Sequence, residues 1–166
     1  MADAPMIDFA HLPHPAPVPS ATRDQALADP GFGSLFTDHM VTIAFDPEHG
    51  WHDAKLCPRA PIPLDPAAAV LHYAQEIFEG MKAYRWEDET VALFRPLENA
   101  RRLNASARRM AMPELPEDLF MESLRLLIET DRDWMPTAEG SSLYLRPFMF
   151  ATETFLGVRP AREYLY

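Results

Sequence analysis

The stretch LFRPLENARRLNASARRM, residues 93–110, predicts the passage from a strand into a helix around which the rest of the chain is organised. Pro96 suits the first position of a helix, where no backbone N–H is required for the hydrogen-bond ladder. Apolar side chains then recur at helical spacing: Leu97, Ala100, Leu103, Ala107 and Met110. This pattern predicts an amphipathic helix with one face turned to a core.

A second helix is predicted from Pro116 onward. Glu117 and Asp118 fall in its first turn, where carboxylates interact favourably with the positive end of the helix dipole. The apolar or small pairs at 119–120, 123–124 and 127–128 repeat every four residues. This repeat indicates a stripe of side chains that faces the core.

Strand patterns lie on both sides of the two helices. HMVTIAFD, residues 39–46, is rich in β-branched side chains and runs into the turn-forming PEHG. MKAYRW (81–86) and TVALFR (90–95) flank the short acidic stretch EDE, which predicts a hairpin. Residues 141–150 and 163–166 return to strand pattern. Strands around a helical pair predict an α+β domain.

Length and composition fit one globular domain. The chain has 166 residues, of which 48% are hydrophobic, and its formal net charge is −10. Residues 1–30 are rich in proline and predict an extended arm, and residues 31–166 form the domain. The N-terminus lacks a basic region followed by an apolar one, and no apolar run approaches the ~20 residues of a membrane helix, so we expect a cytoplasmic protein.

The charge and the cysteine count narrow the possible partners. A net charge of −10 disfavours nucleic acid and anionic membranes, although a local cluster of arginines can still bind a small anion. Cys57 is the single cysteine, and the six histidines show no pair at ligand-like helical spacing. His49 and His52 can lie close together, but they bracket a predicted turn. We therefore expect no metal site.

Several side chains could carry chemistry, and their spacing leaves two interpretations open for each. Arg102 and Arg109 are seven residues apart and share a helix face, where they could grip a phosphate or pair with the protein's own carboxylates. Tyr144 and Arg146 lie on the same side of a strand and could line a carboxylate pocket or form an exposed surface pair. Lys82 lies among apolar residues and is either chemically active or a solvent-facing strand residue.

Two aromatic residues and a glycine lie just before Lys82. Tyr73 and Phe78 flank a predicted helix or turn, and aromatic side chains in such a place are core residues more often than pocket walls. Gly80 follows them and permits a tight entry into the next strand.

Five blocks together resemble the N-terminal domain of branched-chain amino acid aminotransferases, pyridoxal 5'-phosphate (PLP) enzymes of fold type IV. The blocks are FTDHM, LHYAQEIFEGMKAYR, LFRPLENARRLNASARRM, LIETDRDWMP and SLYLRPFMFATETFLGVRP. The resemblance runs from Phe32 to Tyr166. It implies the small α+β domain of the D-amino-acid-aminotransferase-like fold, with a mainly antiparallel sheet and packed helices. It also implies a homodimer that exchanges amino groups between leucine, isoleucine or valine and 2-oxoglutarate.

The resemblance assigns roles to individual residues. Arg102 matches the arginine that binds the cofactor's phosphate, and Tyr73 matches a tyrosine that crosses the dimer interface to the substrate carboxylate. Arg146 matches an arginine beside the substrate pocket, where it helps to accommodate an acidic substrate. The remaining matches are the pocket walls Phe32, Phe78 and Tyr144, and Leu156 and Val158, which reach into the neighbouring subunit's pocket.

The family's Schiff-base lysine lies in a second, C-terminal domain that this chain does not contain. The resemblance therefore assigns no catalytic residue here, leaves Lys82 a solvent-facing strand residue, and implies that the chain alone is inactive. Three rivals share the fold: a non-catalytic binding domain, a D-amino-acid transaminase and an aminodeoxychorismate lyase.

Overall fold

The computed structural model describes residues 7–138 and 140–166. Within them lie nine strands, four α-helices and one turn of 3-10 helix. The strands are β1 (Ala10–His11), β2 (His39–Asp46), β3 (Gly50–Pro58), β4 (Glu76–Phe78), β5 (Met81–Arg85), β6 (Val91–Leu93), β7 (Leu143–Leu145), β8 (Phe148–Ala151) and β9 (Tyr164–Leu165). The helices are α1 (Ser20–Leu27), α2 (Ala69–Tyr73), α3 (Pro96–Arg109) and α4 (Glu117–Thr130), and the 3-10 turn is Arg132–Trp134.

The strands form two sheets. The larger has the order β1-β3-β2-β9-β8-β4, and the smaller has the order β6-β5-β7. Every strand pair is antiparallel except β1 with β3. The predicted α+β class with a mainly antiparallel sheet is therefore confirmed.

Most of the predicted elements are present. The strand at 39–46 has the predicted bounds, and β5 and β6 form the predicted hairpin. Helix α3 begins at Pro96 as expected, and α4 begins at Glu117, one residue after the predicted start. The strand pattern at 141–150 corresponds to two strands, β7 and β8, which belong to different sheets.

Two short connections join the two sheets and lie next to each other, and we call them crossings. Strand β4 leads into β5 through Glu79 and Gly80, and β7 leads into β8 through Arg146 and Pro147. The backbone N–H of Glu79 donates to the carbonyl of Pro147 at 2.7 Å, so the crossings are bonded to each other. Pro147 lacks the N–H that a continuous ladder requires, which explains why the run of β-forming residues divides there. The side chains around these crossings therefore come from stretches more than sixty residues apart.

The core lies between the helical pair and the sheets. On α3, Ala100, Leu103 and Ala107 are buried, whereas Leu97 and Met110 are 42% and 39% exposed. The predicted apolar stripe is therefore correct in its middle and reaches the surface at both ends. On α4 the fully buried Phe120 and the neighbouring apolar side chains complete the stripe predicted for that helix.

A buried amide fixes the connection between α3 and α4. Asn104 donates from Nδ2 to the carbonyl of Leu115 at 2.8 Å, and its Oδ1 accepts from the Leu115 N–H at 2.9 Å. A polar side chain on the buried face of a helix is costly unless it is bonded in this way. Asn104 thereby secures the loop that sets the two helices against each other.

The predicted N-terminal arm contains regular structure. Strand β1 pairs with β3 along the edge of the larger sheet, and Ile7 and Phe9 pack against the core. Helix α1 has no buried residue, and Arg23 ties it to the body through an ion pair of 3.3 Å with Asp133. The arm is therefore extended only in parts, and its first described residues contribute to the domain. The helices of the described chain include none with the length and apolar character that crossing a bilayer demands.

Candidate functional site

Tyr144 and Arg146 are neighbours at the crossing between the sheets. Both are exposed, whereas Leu145 between them is 5% exposed, as the predicted alternation requires. Nη2 of Arg146 donates to the Tyr144 hydroxyl at 3.2 Å. The guanidinium also lies over the ring of Phe78, with its Cζ 4.5 Å from the ring centroid. Three predicted site residues from two separate blocks therefore form one contact group.

Gly80 makes room for this group. A Cβ atom placed on Gly80 would lie 2.1 Å from the Tyr144 hydroxyl oxygen and 3.0 Å from Cζ of the same ring. Gly80 is not among the positive-φ glycines, so its backbone conformation does not call for a glycine. The sequence analysis explained Gly80 by a tight entry into the next strand. In the structure, a glycine is needed at this position because the side chain of Tyr144 approaches it closely.

Phe32 extends the group toward a large cavity. Its ring meets that of Tyr144 edge to face, with the centroids 5.6 Å apart. Phe32, Tyr144 and Arg146 all line a cavity of about 690 Å³, together with apolar side chains that include Phe36 and Leu143. Cavities of this size bind small molecules through apolar walls and a few polar groups. An apolar wall with one phenol and one guanidinium can take an apolar side chain and, at its rim, a carboxylate.

Arg102 belongs to a second group, built around a buried acid. Its Nε and Nη2 donate to the two carboxylate oxygens of Glu79 at 2.7 and 2.6 Å, and Asn99 donates to the same carboxylate at 2.8 Å. The side chain of Glu79 is 3% exposed, whereas that of Arg102 is 67% exposed. Burial raises the pKa of Glu79, but the hydrogen bonds from Arg102 and Asn99 outweigh it and leave the pKa below its usual value.

The pairing leaves one edge of Arg102 available. Among the residues that the structure describes, Nη1 of Arg102 has no hydrogen-bond partner. The side chain borders an open depression of about 450 Å³ that Ser106 and Arg109 also line. Two guanidinium groups and a hydroxyl around one depression are suitable donors for a phosphate. Of the two interpretations left open by the sequence, the structure shows that Arg102 pairs with a carboxylate of the protein itself, and the phosphate interpretation stays a prediction.

Glu79 and Asn99 were missed by the sequence analysis. One signal for Glu79 existed: in EIFEG, residues 76–80, exposed and buried positions alternate, and Glu79 falls on the buried phase beside Ile77. A carboxylate at a buried strand position needs a partner. Asn99 had no comparable signal, because its position on α3 outside the apolar stripe is ordinary for a polar residue.

Phe78 touches the cavity-lining Arg146 without lining the cavity itself, and three further predicted residues lie apart from this group. Tyr73 ends α2, is 45% exposed, and contacts Phe155 with the ring centroids 6.2 Å apart. Leu156 and Val158 follow Phe155 in the chain and are 66% and 101% exposed. The structure therefore brings Phe32, Phe78, Tyr144 and Arg146 together, whereas Tyr73, Leu156 and Val158 are exposed outside that group.

Lys82 faces outward from β5. Met81 and Ala83 on either side are buried while Lys82 is exposed, which confirms the solvent-facing strand interpretation. Lys82 is the register partner of Tyr144 across β5 and β7, and it also borders the 690 Å³ cavity. The other lysine, Lys55, forms an ion pair with Asp53, and both residues belong to β3.

Comparison with known proteins gives long sequence matches. The chain is 56% identical over 161 residues to the branched-chain-amino-acid aminotransferase of Mycolicibacterium smegmatis, covering 96% of this chain and 44% of that protein. It is 57% identical over 163 residues to the probable branched-chain-amino-acid aminotransferase of Streptomyces coelicolor, covering 98% of this chain and 44% of that protein. The chain thus spans less than half the length of these relatives. No family model matches the chain.

Solved structures agree in fold. The T.th. branched-chain amino acid aminotransferase, solved with N-(5'-phosphopyridoxyl)-L-glutamate, superposes with a TM-score of 0.57 at 21% identity, over 76% of this chain and 40% of that one. The enzyme of the same name from Escherichia coli gives a TM-score of 0.55 at 22% identity, over 76% and 39% of the two chains. At these identities the superpositions establish the fold, and the sequence matches carry the relationship. This chain belongs to the branched-chain amino acid aminotransferase family and corresponds to its N-terminal domain.

Proposed function

We propose that the chain is the N-terminal part of a PLP-dependent aminotransferase that moves the amino group of leucine, isoleucine or valine to 2-oxoglutarate. The observation that carries the proposal is the convergence of Phe32, Phe78, Tyr144 and Arg146 at the crossing between the sheets. Relatives at 56% and 57% identity named for this reaction support the same conclusion. The protein acts in the cytoplasm on small amino acids and 2-oxo acids.

The residues of the Glu79 group suit the phosphate of PLP. Arg102 would hold it, because the buried Glu79 fixes the guanidinium in orientation and leaves Nη1 for an outside anion. Ser106 and Arg109 on the same depression add further donors. PLP supplies an electron sink for the negative charge that forms when the substrate's α-proton leaves. An anchored phosphate keeps the cofactor ring at one place relative to the substrate pocket.

The cavity around Tyr144 suits two chemically different substrates. Aromatic walls from Phe32 and Tyr144 exclude water from a branched aliphatic side chain. Glutamate instead presents a second carboxylate, for which Arg146 and the Tyr144 hydroxyl offer donors 3.2 Å from each other. Because Arg146 rests on the face of Phe78, its charge stays at the edge of the apolar surface when an aliphatic substrate is bound.

The exposed apolar side chains of Tyr73, Leu156 and Val158 support a homodimer. These side chains are 45%, 66% and 101% exposed, and exposed large apolar groups are frequent on surfaces that bind a partner. A second copy would cover them and would receive Tyr73 close to its own substrate pocket. The site is then shared between subunits.

The lysine that bonds covalently to PLP comes from a segment other than these residues. Lys82 faces outward on β5, and Lys55 is held by Asp53. Consequently the 166-residue chain alone has no turnover. The complete gene product, which joins this domain to the lysine-bearing one, is the active enzyme.

The proposal is tested by measuring leucine–2-oxoglutarate transamination for the 166-residue chain and for the complete gene product. We expect turnover only in the latter, with a loss of about tenfold or more in Arg102→Ala. Arg101→Ala is the matched control, because Arg101 is on the same helix and pairs with Glu98 and Glu117 at the surface. Turnover by the isolated chain would refute the proposal that the lysine required for catalysis lies in another domain. Preference for a D-amino acid or for aminodeoxychorismate would refute the substrate assignment in favour of those enzymes.

A further inference from the structure

The turn between β2 and β3 gathers two histidines and an aspartate. Asp46 ends β2, His49 lies in the turn, and His52 is in β3. One oxygen or nitrogen ligand atom from each residue lies within 4.8 Å of the other two. None of the three residues borders the 690 Å³ cavity or the depression beside Arg102. The cluster is therefore independent of the proposed aminotransferase site.

The ring of His52 is oriented by the backbone. Its Nδ1 lies 3.0 Å from the carbonyl oxygen of Gly50. A carbonyl only accepts hydrogen bonds, so Nδ1 carries the proton and Nε2 of the neutral ring has a free lone pair. Nε2 faces Oδ2 of Asp46 at 3.4 Å. Two acceptors turned toward each other at this distance attract a cation between them, either a proton or a metal ion.

The carboxylate of Asp46 contacts both the backbone of the turn and the two histidine rings. Oδ1 accepts the backbone N–H groups of Glu48 and His49, both at 2.8 Å, which is the ordinary role of an aspartate in a turn. Oδ2 lies 3.0 Å from Nδ1 of His49 and 3.4 Å from Nε2 of His52. Nδ1 of His49 also lies 3.1 Å from Oδ1, so the ring of His49 is close to both oxygens and that of His52 is close to Oδ2.

These separations suit a tetrahedral metal ion. Bonds of about 2.0–2.2 Å from Zn²⁺ to nitrogen and oxygen place neighbouring tetrahedral ligands roughly 3.3 Å apart. The two distances measured from Oδ2 are 3.0 and 3.4 Å. A metal-bound histidine commonly donates its second ring N–H to a backbone carbonyl, and His52 does so to Gly50.

We propose that Asp46, His49 and His52 form a binding site for a divalent transition-metal ion of the Zn²⁺ type. Three protein ligands leave a fourth tetrahedral position open to water or another ligand. To bind the ion through Nδ1, the neutral ring of His49 takes the tautomer that carries its proton on Nε2, which leaves the Nδ1 lone pair beside Asp46 for the metal. The side chains of His49 and His52 are 58% and 35% exposed, which gives the ion access from solvent. The expectation of no metal site was drawn from helical spacing, and the proposal differs from it because Asp-x-x-His-x-x-His lies on a hairpin.

The test is calorimetric titration of the 166-residue chain with Zn²⁺, followed by Co²⁺ absorption spectroscopy. We expect one ion per chain and the intense visible bands of four-coordinate Co²⁺. His49→Ala and His52→Ala should each weaken Zn²⁺ binding about tenfold or more. Asp46→Asn should also weaken it, while its remaining carbonyl oxygen continues to cap the turn.

His11→Ala is the matched control, because His11 is exposed and lies on another strand. This variant should bind Zn²⁺ as tightly as the unaltered chain. Circular dichroism of each variant establishes that the hairpin substitutions leave the fold intact. The proposal is overturned if the unaltered chain binds no ion, or if removing either hairpin histidine leaves the affinity unchanged.

Discussion

Glu79 holds Arg102 through two parallel hydrogen bonds, 2.7 Å to Nε and 2.6 Å to Nη2. The acid is buried and the arginine is mostly exposed, so the pair connects the core to the surface. Such a pair fixes the plane of a guanidinium more tightly than a single bond would. In our account, this plane sets where the cofactor phosphate lies.

Replacing Glu79 should therefore weaken cofactor binding although Glu79 does not face the ligand. In the complete gene product, we expect Glu79→Gln to raise the Kd for PLP about fivefold to tenfold, because the neutral amide holds Arg102 less firmly. Titration followed by absorbance measures the change. Glu98→Gln, on the exposed side of α3, is the control and should leave the Kd unaltered. An equal effect of both substitutions would mean that general charge, and not the orientation of Arg102, governs affinity.

The same carboxylate should make the fold sensitive to acid. The hydrogen bonds from Arg102 and Asn99 overcome the effect of burial and lower the pKa of Glu79 in the folded chain. The resulting stability is present above the unfolded pKa of about 4.3 and is lost as the pH falls through the lower folded pKa. Urea unfolding between pH 7 and pH 3 should show a shallower loss for Glu79→Gln than for the unaltered chain. If the free energy of unfolding falls equally with pH in both proteins, Glu79 does not contribute to the acid sensitivity.

The contact between Gly80 and Tyr144 predicts a coupled pair of substitutions. A methyl group at Gly80 would overlap the tyrosine hydroxyl, so Gly80→Ala should destabilise the chain by about 1–3 kcal/mol. Removing the hydroxyl relieves the closest contact, at 2.1 Å, and leaves the ring carbon at 3.0 Å. Gly80→Ala combined with Tyr144→Phe should therefore be more stable than the sum of the single effects predicts. Strict additivity in urea unfolding would contradict the proposed overlap.

Reduction with borohydride tests whether either lysine reacts with the cofactor. After incubation of the 166-residue chain with PLP and reduction, peptide mass mapping should find no specific stoichiometric label. Lys82 borders the 690 Å³ cavity but not the depression beside Arg102, and Lys55 pairs with Asp53, so we expect neither to be held against a cofactor ring. A stoichiometric label confined to Lys82 would make this chain a complete catalyst and would refute the division of the site between domains.

Helices α3 and α4 and the hairpin of β5 and β6 were predictable because their signals are local. Pro96 and the four-residue repeats of α3 and α4 depend only on neighbours along the chain. The division of residues 141–150 between two sheets was not predictable, because it depends on the pairing of β7 with β5 and of β8 with β4. Helix α1 was missed for a related reason, since it has no buried face and hence no apolar period.

The same difference between local and long-range signals applies to the residues of the candidate site. Tyr144 and Arg146 share a face because they are two residues apart on an extended chain, and this was predicted. The contact of Arg146 with Phe78 and the pairing of Arg102 with Glu79 join residues 68 and 23 positions apart. Periodicity carries no information at that separation. The resemblance to a known family assigned roles to Phe78, Arg102 and Arg146, but it did not indicate that Glu79 fixes Arg102.

The most direct test of the central claim compares the affinity of the complete gene product for PLP after two substitutions on one helix. Arg102→Ala removes the anchor that Glu79 orients, and Arg101→Ala removes a neighbouring surface charge. The account predicts that Kd rises by about tenfold or more in the first variant and stays unchanged in the second. Equal affinities in the two variants would show that Arg102 is not the phosphate anchor.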